Sequence, residues 1–181
     1  MTTYEKTGLG RRGFIAGAAL ATAVVSARTA LAQTNGSGLL LPHQTAYSAD
    51  LHWFETVPGE KMSIHVPNER VEGRFSVVES IAAPGAAAPF HVHRSADEYF
   101  FIQQGVMHFS CNGVEFDAPA GTSVLIPRGV THNWINLGKT PVRSLVTFTP
   151  GGIEQMFKEL AAVFPHGIEE LAARYDTYLV T

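Results

Sequence analysis

The sequence is poor in cysteine, in charge and in long apolar runs. Its only cysteine, Cys111, cannot form a disulfide within the chain and offers no thiolate cluster for a metal. Any metal site must therefore use imidazole and carboxylate ligands. Charged residues make up 16% of the chain, and the formal net charge is -3. Because no run of Lys or Arg appears beyond the N-terminus, neither nucleic acid nor an anionic surface is indicated as a partner.

Residues 1–32 are predicted to be a signal peptide. Arg11 and Arg12 precede an apolar, Gly/Ala-rich stretch at 13–25, and Ala32 closes a small-x-small cleavage site. The segment RRGFI resembles a twin-arginine signal, and the alternatives are an ordinary secretory signal and a membrane anchor. The apolar stretch is shorter than the roughly 20 residues that span a bilayer, so no stable membrane anchor is predicted. We expect a periplasmic or secreted protein that begins with a flexible segment at 33–50.

The region 51–150 reads as an all-β barrel or sandwich, because short apolar runs alternate with Gly, Pro, Asn and Asp. Asn112-Gly113 predicts a tight hairpin. Helical spacing of apolar residues predicts a C-terminal helical tail at 151–181, and core packing of its apolar stripe is favoured over closure of a ligand pocket. The predicted strands are Lys61 to Val66, Arg74 to Ala82, Glu98 to Gln103, Val106 to Cys111, Thr122 to Ile126, His132 to Asn136 and Val142 to Thr149.

One predicted strand is apolar on both of its faces. Tyr99, Phe100, Phe101 and Ile102 follow one another without a polar residue. Such a run predicts that neither face meets water, so that another sheet, the N-terminal segment or a second subunit covers the outer one. A homodimer is one of these three possibilities.

Three histidines and one glutamate have the spacing of a metal site. His91 and His93 are two residues apart, so both point to the same side of an extended strand. Glu98 lies at an odd offset from His93, so the polar segment 94–97 must turn the chain before Glu98 can face the same cavity. His132 begins a later strand after a Pro-Arg-Gly turn. We predict that these four side chains converge.

Imidazole and carboxylate ligands suit one divalent transition-metal ion, whose candidates are iron, manganese, nickel, copper, cobalt and zinc. They suit calcium and magnesium poorly, because these ions prefer oxygen ligands. Four protein ligands on an ion that accepts six leave two positions for substrate or dioxygen.

The two segments that contain these ligands resemble the motifs of the cupin superfamily. Residues 85–105 match GxxxxxHxHxxxxExxxxxxG and residues 121–136 match GxxxxxPxGxxHxxxN at every fixed position. The resemblance implies a cupin jelly-roll (double-stranded β-helix) barrel of six to eight antiparallel strands, and a metal bound in its lumen by His91, His93, Glu98 and His132. The predicted fold is therefore an all-β cupin barrel followed by the C-terminal helical segment.

The resemblance does not fix the reaction, because cupins include dioxygenases, isomerases, decarboxylases, lyases and binding proteins. The leading hypothesis is a dioxygenase resembling the quercetin dioxygenase-like small cupins, with a small-molecule substrate and dioxygen. Glu98 would be both ligand and catalytic base. A metal-dependent isomerase or lyase and a non-catalytic periplasmic binding protein are the alternatives. An apolar lumen that suits a flat substrate is predicted from Phe100, Ile102, Val124, Ile126 and Trp134.

Overall fold

A computed structural model describes residues 51–180, so the predicted signal peptide and the segment 33–50 lie outside the described residues. The described chain is mostly β-strand, with a 3₁₀ turn at Asn68–Val71 and two helices, α1 (Ile153–Val163) and α2 (Ile168–Ala173). Its strands are β1 (Phe54–Glu55), β2 (Glu60–Val66), β3 (Ser76–Ala82), β4 (His91–His93), β5 (Asp97–Gln104), β6 (Val106–Cys111), β7 (Val114–Pro119), β8 (Ser123–Ile126), β9 (His132–Ile135), β10 (Val142–Thr149) and β11 (Thr177–Leu179).

The strands form two antiparallel sheets. One has six strands in the order β1-β2-β3-β10-β5-β8, and the other has five in the order β11-β4-β9-β6-β7. Buried residues of both sheets, among them Val78, Ile102, Phe109 and Trp134, belong to one hydrophobic cluster. The predicted all-β fold with a C-terminal helical segment is confirmed.

Alternation along the strands decides which side chains enter this core. In β10, Val142, Ser144, Val146 and Phe148 are buried, whereas the residues between them are half-buried. Burial of an aromatic side chain such as Phe148 contributes roughly 1.5–3 kcal/mol. The period of two therefore holds the central strand in register, since a slip of one residue would expose its whole apolar face.

The hairpin at Asn112-Gly113 is confirmed. The φ angles of Asn112 and Gly113 are 50° and 80°, and Cys111 pairs directly with Val114. Asn and Gly are the residues that accept two successive positive φ values most readily.

Of the eleven strands, seven were predicted with nearly correct ends, β4 was predicted only as the extended segment that carries His91 and His93, and three were missed. β1 and β11 have only two and three residues. β7 lies at the edge of its sheet, and four of its six residues are exposed. Val114, Phe116 and Ala118 nevertheless alternate with Glu115 and Asp117, so the sequence contained the strand signal that the prediction missed.

The C-terminal segment contains more than helices. α1 and α2 lie where apolar spacing placed them, but Phe164 follows the end of α1 and is 40% exposed. After α2 the chain returns to the barrel as β11, which pairs with β4 through Thr177↔His93 and Leu179↔His91. The predicted helical segment at 151–181 thus also contains β11, which was missed because a three-residue strand leaves no periodic pattern in the sequence.

The outer face of β5 meets solvent in the described chain. Phe100 and Ile102 are buried, whereas Tyr99 and Phe101 are each 37% exposed. Of the three alternatives for covering this face, the second sheet is therefore ruled out, and the N-terminal segment lies outside the described residues. The homodimer stays a prediction. Within residues 51–180, no helix has the length and apolar character that crossing a membrane requires.

Candidate metal centre

The two sheets bring the predicted ligands together. His91 and His93 are the first and last residues of β4, and His132 begins the neighbouring strand β9, where it pairs directly with His91. Glu98 is the second residue of β5 in the other sheet. One ligand atom from each of the four residues lies within 4.8 Å of the others. The turn predicted at 94–97 is observed at 94–96, where it leads the chain from β4 into β5 of the other sheet, so Glu98 can face the same site despite its odd spacing.

A second turn fixes the position of the strands that carry the ligands. Arg128 forms a two-pronged ion pair with Asp97, Nε to Oδ1 at 3.0 Å and Nη2 to Oδ2 at 2.8 Å, and its backbone N–H also donates to Asp97. The N–H of Gly129 donates to the carbonyl of His93 at 2.8 Å. Gly129 has a φ of 82°, which favours glycine there. Arg128 thus has the structural role that its place in the turn suggested.

Backbone carbonyls fix the tautomers of two ligand histidines. Nδ1–H of His91 donates to the carbonyl of Pro89 at 2.8 Å, and Nδ1–H of His132 donates to that of Val130 at 3.0 Å. A carbonyl can only accept, so Nδ1 must carry a proton in both rings. Nε2 is then the nitrogen left to bind a metal.

The third histidine is held by the C-terminal strand. Nδ1–H of His93 donates to Oγ1 of Thr177 at 2.8 Å, and Thr177 in turn donates to the carbonyl of Tyr175 at 3.2 Å. All three imidazoles therefore share one arrangement, in which Nδ1 is used within the protein and Nε2 is left for a ligand. Sequence reasoning missed Thr177, because it lies outside both motifs and meets His93 only through the pairing of β11 with β4.

An unused nitrogen lone pair and the spacing of the candidate ligand atoms fit a bound metal ion. Nε2 of His93 is buried and has no hydrogen-bond partner among the described residues. A buried nitrogen without a partner is costly unless its lone pair binds something. Oε2 of Glu98 lies 2.9 Å from Nε2 of His132 and 3.3 Å from Nε2 of His93. Ligands about 2.1 Å from one ion lie roughly 3.0 Å apart when they are adjacent.

The charges of the cluster are strongly coupled. Burial alone would raise the pKa of Glu98, but the hydrogen bond with His132 and the nearness of His93 lower that pKa below its usual range. Burial alone would lower the pKa of His132, but Glu98 raises it. Burial lowers the pKa of His91 to about 3, helped by the charges of His132 and His93. A proton shared by His132 and Glu98 thus balances the negative charge of the Glu98 carboxylate. A bound metal ion would replace this proton.

A cavity of about 430 Å³ opens beside the cluster. Phe100 and Trp134 line it as predicted, whereas Ile102, Val124 and Ile126 pack in the core without reaching it. The prediction that these three residues line the cavity was therefore too broad. Alternation along a strand distinguishes side chains that face the barrel interior from those that face outward, but it does not distinguish a cavity wall from a packed core. The other lining residues are Thr56, Val57, Pro58, Glu60, Met62, Ala87, Ala88, Pro89, His91, Glu98, Met156, Phe157, Leu160, Phe164, Pro165, Ile168, Leu171, Ala172, Thr177 and Leu179.

The two C-terminal helices form part of the cavity wall. Met156, Phe157 and Leu160 of α1 and Leu171 of α2 line it. The favoured interpretation of the apolar stripe as core packing alone was therefore wrong, since the same side chains pack on the barrel and bound the cavity. Helical spacing cannot separate these roles, because both require an apolar face turned inward.

Comparison with known proteins agrees with the fold and the motifs. Residues 78–148 match the family model described as Cupin domain. The described residues therefore have the cupin jelly-roll fold. Solved structures with a similar fold include KdgF from Halomonas sp., with a TM-score of 0.57 and 17% identity over 62% of this chain and 98% of that one. An RmlC-like cupin from Shewanella frigidimarina has a TM-score of 0.54 and 18% identity over 65% of this chain and 99% of that one. At these identities the likeness shows the fold alone.

Two curated relatives match a smaller part of this chain. Germin-like protein 1 from Brassica napus is 36% identical over 72 residues, which are 37% of this chain and 35% of the relative. Oxidoreductase iacF from Pestalotiopsis fici is 31% identical over 83 residues, which are 41% of each protein. The chain therefore spans about two fifths or less of the length of these relatives.

Proposed function

We propose that this cupin is an exported dioxygenase that holds one divalent transition metal and oxidises a small enolic or phenolic substrate. The observation that carries the proposal is the position of the ligand cluster at an apolar cavity, where His91 and Glu98 are themselves lining residues. Nitrogen and carboxylate ligands favour a first-row transition metal over calcium or magnesium. The cavity volume of about 430 Å³ lies within the range of small-molecule sites.

The protein's own groups have distinct tasks in this proposal. His91, His93 and His132 would hold the ion through Nε2, and their Nδ1–H bonds keep the rings oriented. When bound, the metal would supply a Lewis acid for the substrate oxygen and open positions for dioxygen. Glu98 would be the fourth ligand, and because it lines the cavity its carboxylate is placed to accept the proton of the substrate hydroxyl.

The walls of the cavity suit a flat apolar ligand. Phe100, Trp134 and Phe157 offer aromatic surface, and few lining side chains are polar. An apolar wall binds the hydroxyl-rich face of a sugar poorly, which favours oxidation of an aromatic or enolic compound over sugar isomerisation. The name of the fungal relative, an oxidoreductase, agrees with redox chemistry. Export rests on the signal-like sequence at 1–32, which also supports a periplasmic or secreted location.

Oxygen consumption tests the proposed reaction. The purified protein is loaded separately with iron, manganese, nickel, copper, cobalt and zinc, and each form is mixed with flavonols, catechols and β-diketones in an oxygen electrode. We expect at least one redox-active form to consume oxygen with a substrate, and the double variant His91→Ala/His93→Ala to consume none. Conversion of a substrate without oxygen uptake would instead support the isomerase or lyase. Recovery of every ligand unchanged would support a binding protein.

A further inference from the structure

The cavity contains a second polar group besides the ligand cluster. Thr56 and Glu60, at the connection from β1 into β2, line the same cavity as His91 and Glu98. Apart from those two metal-ligand candidates, Glu60 is the only Asp, Glu, Lys, Arg or His side chain in the described lining. Neither motif contains it, and the proposed reaction at the metal does not use it.

The carboxyl group of Glu60 is buried but only partly bonded. Oε1 accepts a hydrogen bond from Oγ of Ser80 at 2.6 Å, and Oε2 accepts one from Oγ1 of Thr56 at 2.5 Å. Each carboxylate oxygen can accept two hydrogen bonds, so each retains one free lone-pair position. The residue is 3% exposed, and burial raises its pKa to about 7 against the hydrogen bonds from Ser80 and Thr56. A carboxyl group in such surroundings gains from a further hydrogen-bond donor.

The local backbone does not require this carboxyl group. The turn that leads into β2 is closed by the N–H of Glu60 to the carbonyl of Val57 at 2.9 Å and the N–H of Thr56 to the carbonyl of Glu60 at 3.1 Å. Pairing of β2 with β3 is likewise made by the backbone, with Glu60 opposite Ala82. Within the fold the carboxyl group bridges the hydroxyl groups of Thr56 and Ser80, and this role leaves one lone pair of each oxygen free to accept a further donor in the cavity.

We propose that Glu60 is a specificity-determining residue that accepts a hydrogen bond from a ligand hydroxyl group remote from the metal-binding end. The cavity then selects flat, largely apolar molecules with two polar ends: one oxygen donor for the metal and one hydroxyl for Glu60. This inference rests on the proposed function at one point, which is that the oxygen donor of the ligand binds a metal at the ligand cluster. No covalent step at Glu60 is involved.

Hydroxylated and plain naphthoates provide a matched test. The probes are 2-naphthoate and its 5-, 6- and 7-hydroxy derivatives. Their Kd values are measured by calorimetry at pH 8.5, where Glu60 with its pKa of about 7 is ionised, on the zinc-loaded protein, which does not react with oxygen. A hydrogen bond to a charged group contributes roughly 1.5–3 kcal/mol, which is a factor of ten or more in affinity. We expect one hydroxy derivative to bind at least tenfold more tightly than 2-naphthoate.

Two substitutions of Glu60 and one wall variant separate this effect from loss of shape. In Glu60→Ala the advantage of the hydroxyl should vanish, and in Glu60→Gln, which keeps the size and an uncharged acceptor, it should fall to about threefold or less. Leu160→Ala removes an apolar part of the wall and should weaken all the probes by one common factor, leaving the advantage intact.

The proposal is overturned if no hydroxy derivative gains affinity, if none of the probes binds, or if the advantage survives in Glu60→Ala. Should Glu60→Ala fail to fold, Glu60→Gln alone tests the proposal through the ratio of the Kd of 2-naphthoate to that of the hydroxy derivative. Failure of the proposed dioxygenase reaction is distinguishable, because it would leave this binding ratio unchanged on the zinc-loaded protein.

Discussion

Replacement of Glu60 by Gln should change how the stability of the protein depends on pH. Burial raises the pKa of Glu60 from 4.5 to about 7, opposed by hydrogen bonds from Ser80 and Thr56 and assisted by the charge of Glu98. The folded protein therefore holds this proton more tightly than the unfolded chain does. The stabilisation from the neutral carboxyl group is complete below about pH 4.5 and is lost as the pH rises to 7.

The expected magnitude follows from the size of that change. One pKa unit corresponds to about 1.4 kcal/mol, so the free energy of unfolding should lose about 2 to 3 kcal/mol between pH 5 and pH 8 through this group. Gln cannot ionise, but its amide occupies nearly the same volume, and the hydroxyl groups of Thr56 and Ser80 can reorient to pair with it. Between pH 5 and pH 8, the free energy of unfolding of the variant should therefore rise by about 2 to 3 kcal/mol relative to that of the wild type.

Urea unfolding of the metal-free protein at pH 5 and pH 8, followed by tryptophan fluorescence, measures this difference. The pH dependence of all other groups cancels when the wild type and the variant are compared at each pH. Glu115→Gln, which removes an exposed carboxylate of β7, is the matched control and should show no comparable change. If the difference in the free energy of unfolding between the wild type and Glu60→Gln stays constant within about 1 kcal/mol from pH 5 to pH 8, Glu60 does not have a raised pKa in the folded protein.

Further predictions concern the metal centre and the outer sheet face. Thr177→Val should lower metal affinity about 10- to 100-fold in competition with a chelator, because Nδ1–H of His93 loses its acceptor, whereas Thr177→Ser should restore it. Metal affinity should also fall as the pH drops below the raised pKa of His132, since a proton then competes for Nε2; an affinity independent of pH between 5 and 8 would contradict this. His132→Ala should abolish metal retention measured by elemental analysis, and full occupancy in that variant would remove His132 from the ligand set. If the exposed Tyr99 and Phe101 meet a second subunit, Phe101→Lys should convert a dimer to a monomer in light scattering, whereas a wild-type monomer would end the homodimer prediction.

Much of the candidate site could be predicted from the sequence because it depends on local geometry. The separation of His91 and His93 by two residues places both rings on one side of any extended strand, and the odd offset of Glu98 requires the turn that the structure contains. The Asn112-Gly113 hairpin and the period of two in β10 are local for the same reason. Backbone stereochemistry acts over a few residues, so its consequences can be read from a short segment.

Other parts of the site were decided only by the tertiary structure. Thr177 meets His93 across 84 positions of sequence, and Glu60 shares a cavity with Glu98, which belongs to a different strand. Neither residue carries a motif, because what makes it relevant is a neighbour that the folded chain brings near. The apolar face of α1 likewise became a cavity wall only once the helix packed on the barrel core. The sequence by itself determined the candidate ligands and the extended segments that carry them. The packing of β11, α1 and β2 around them determined the cavity, since contacts between distant segments depend on the whole fold.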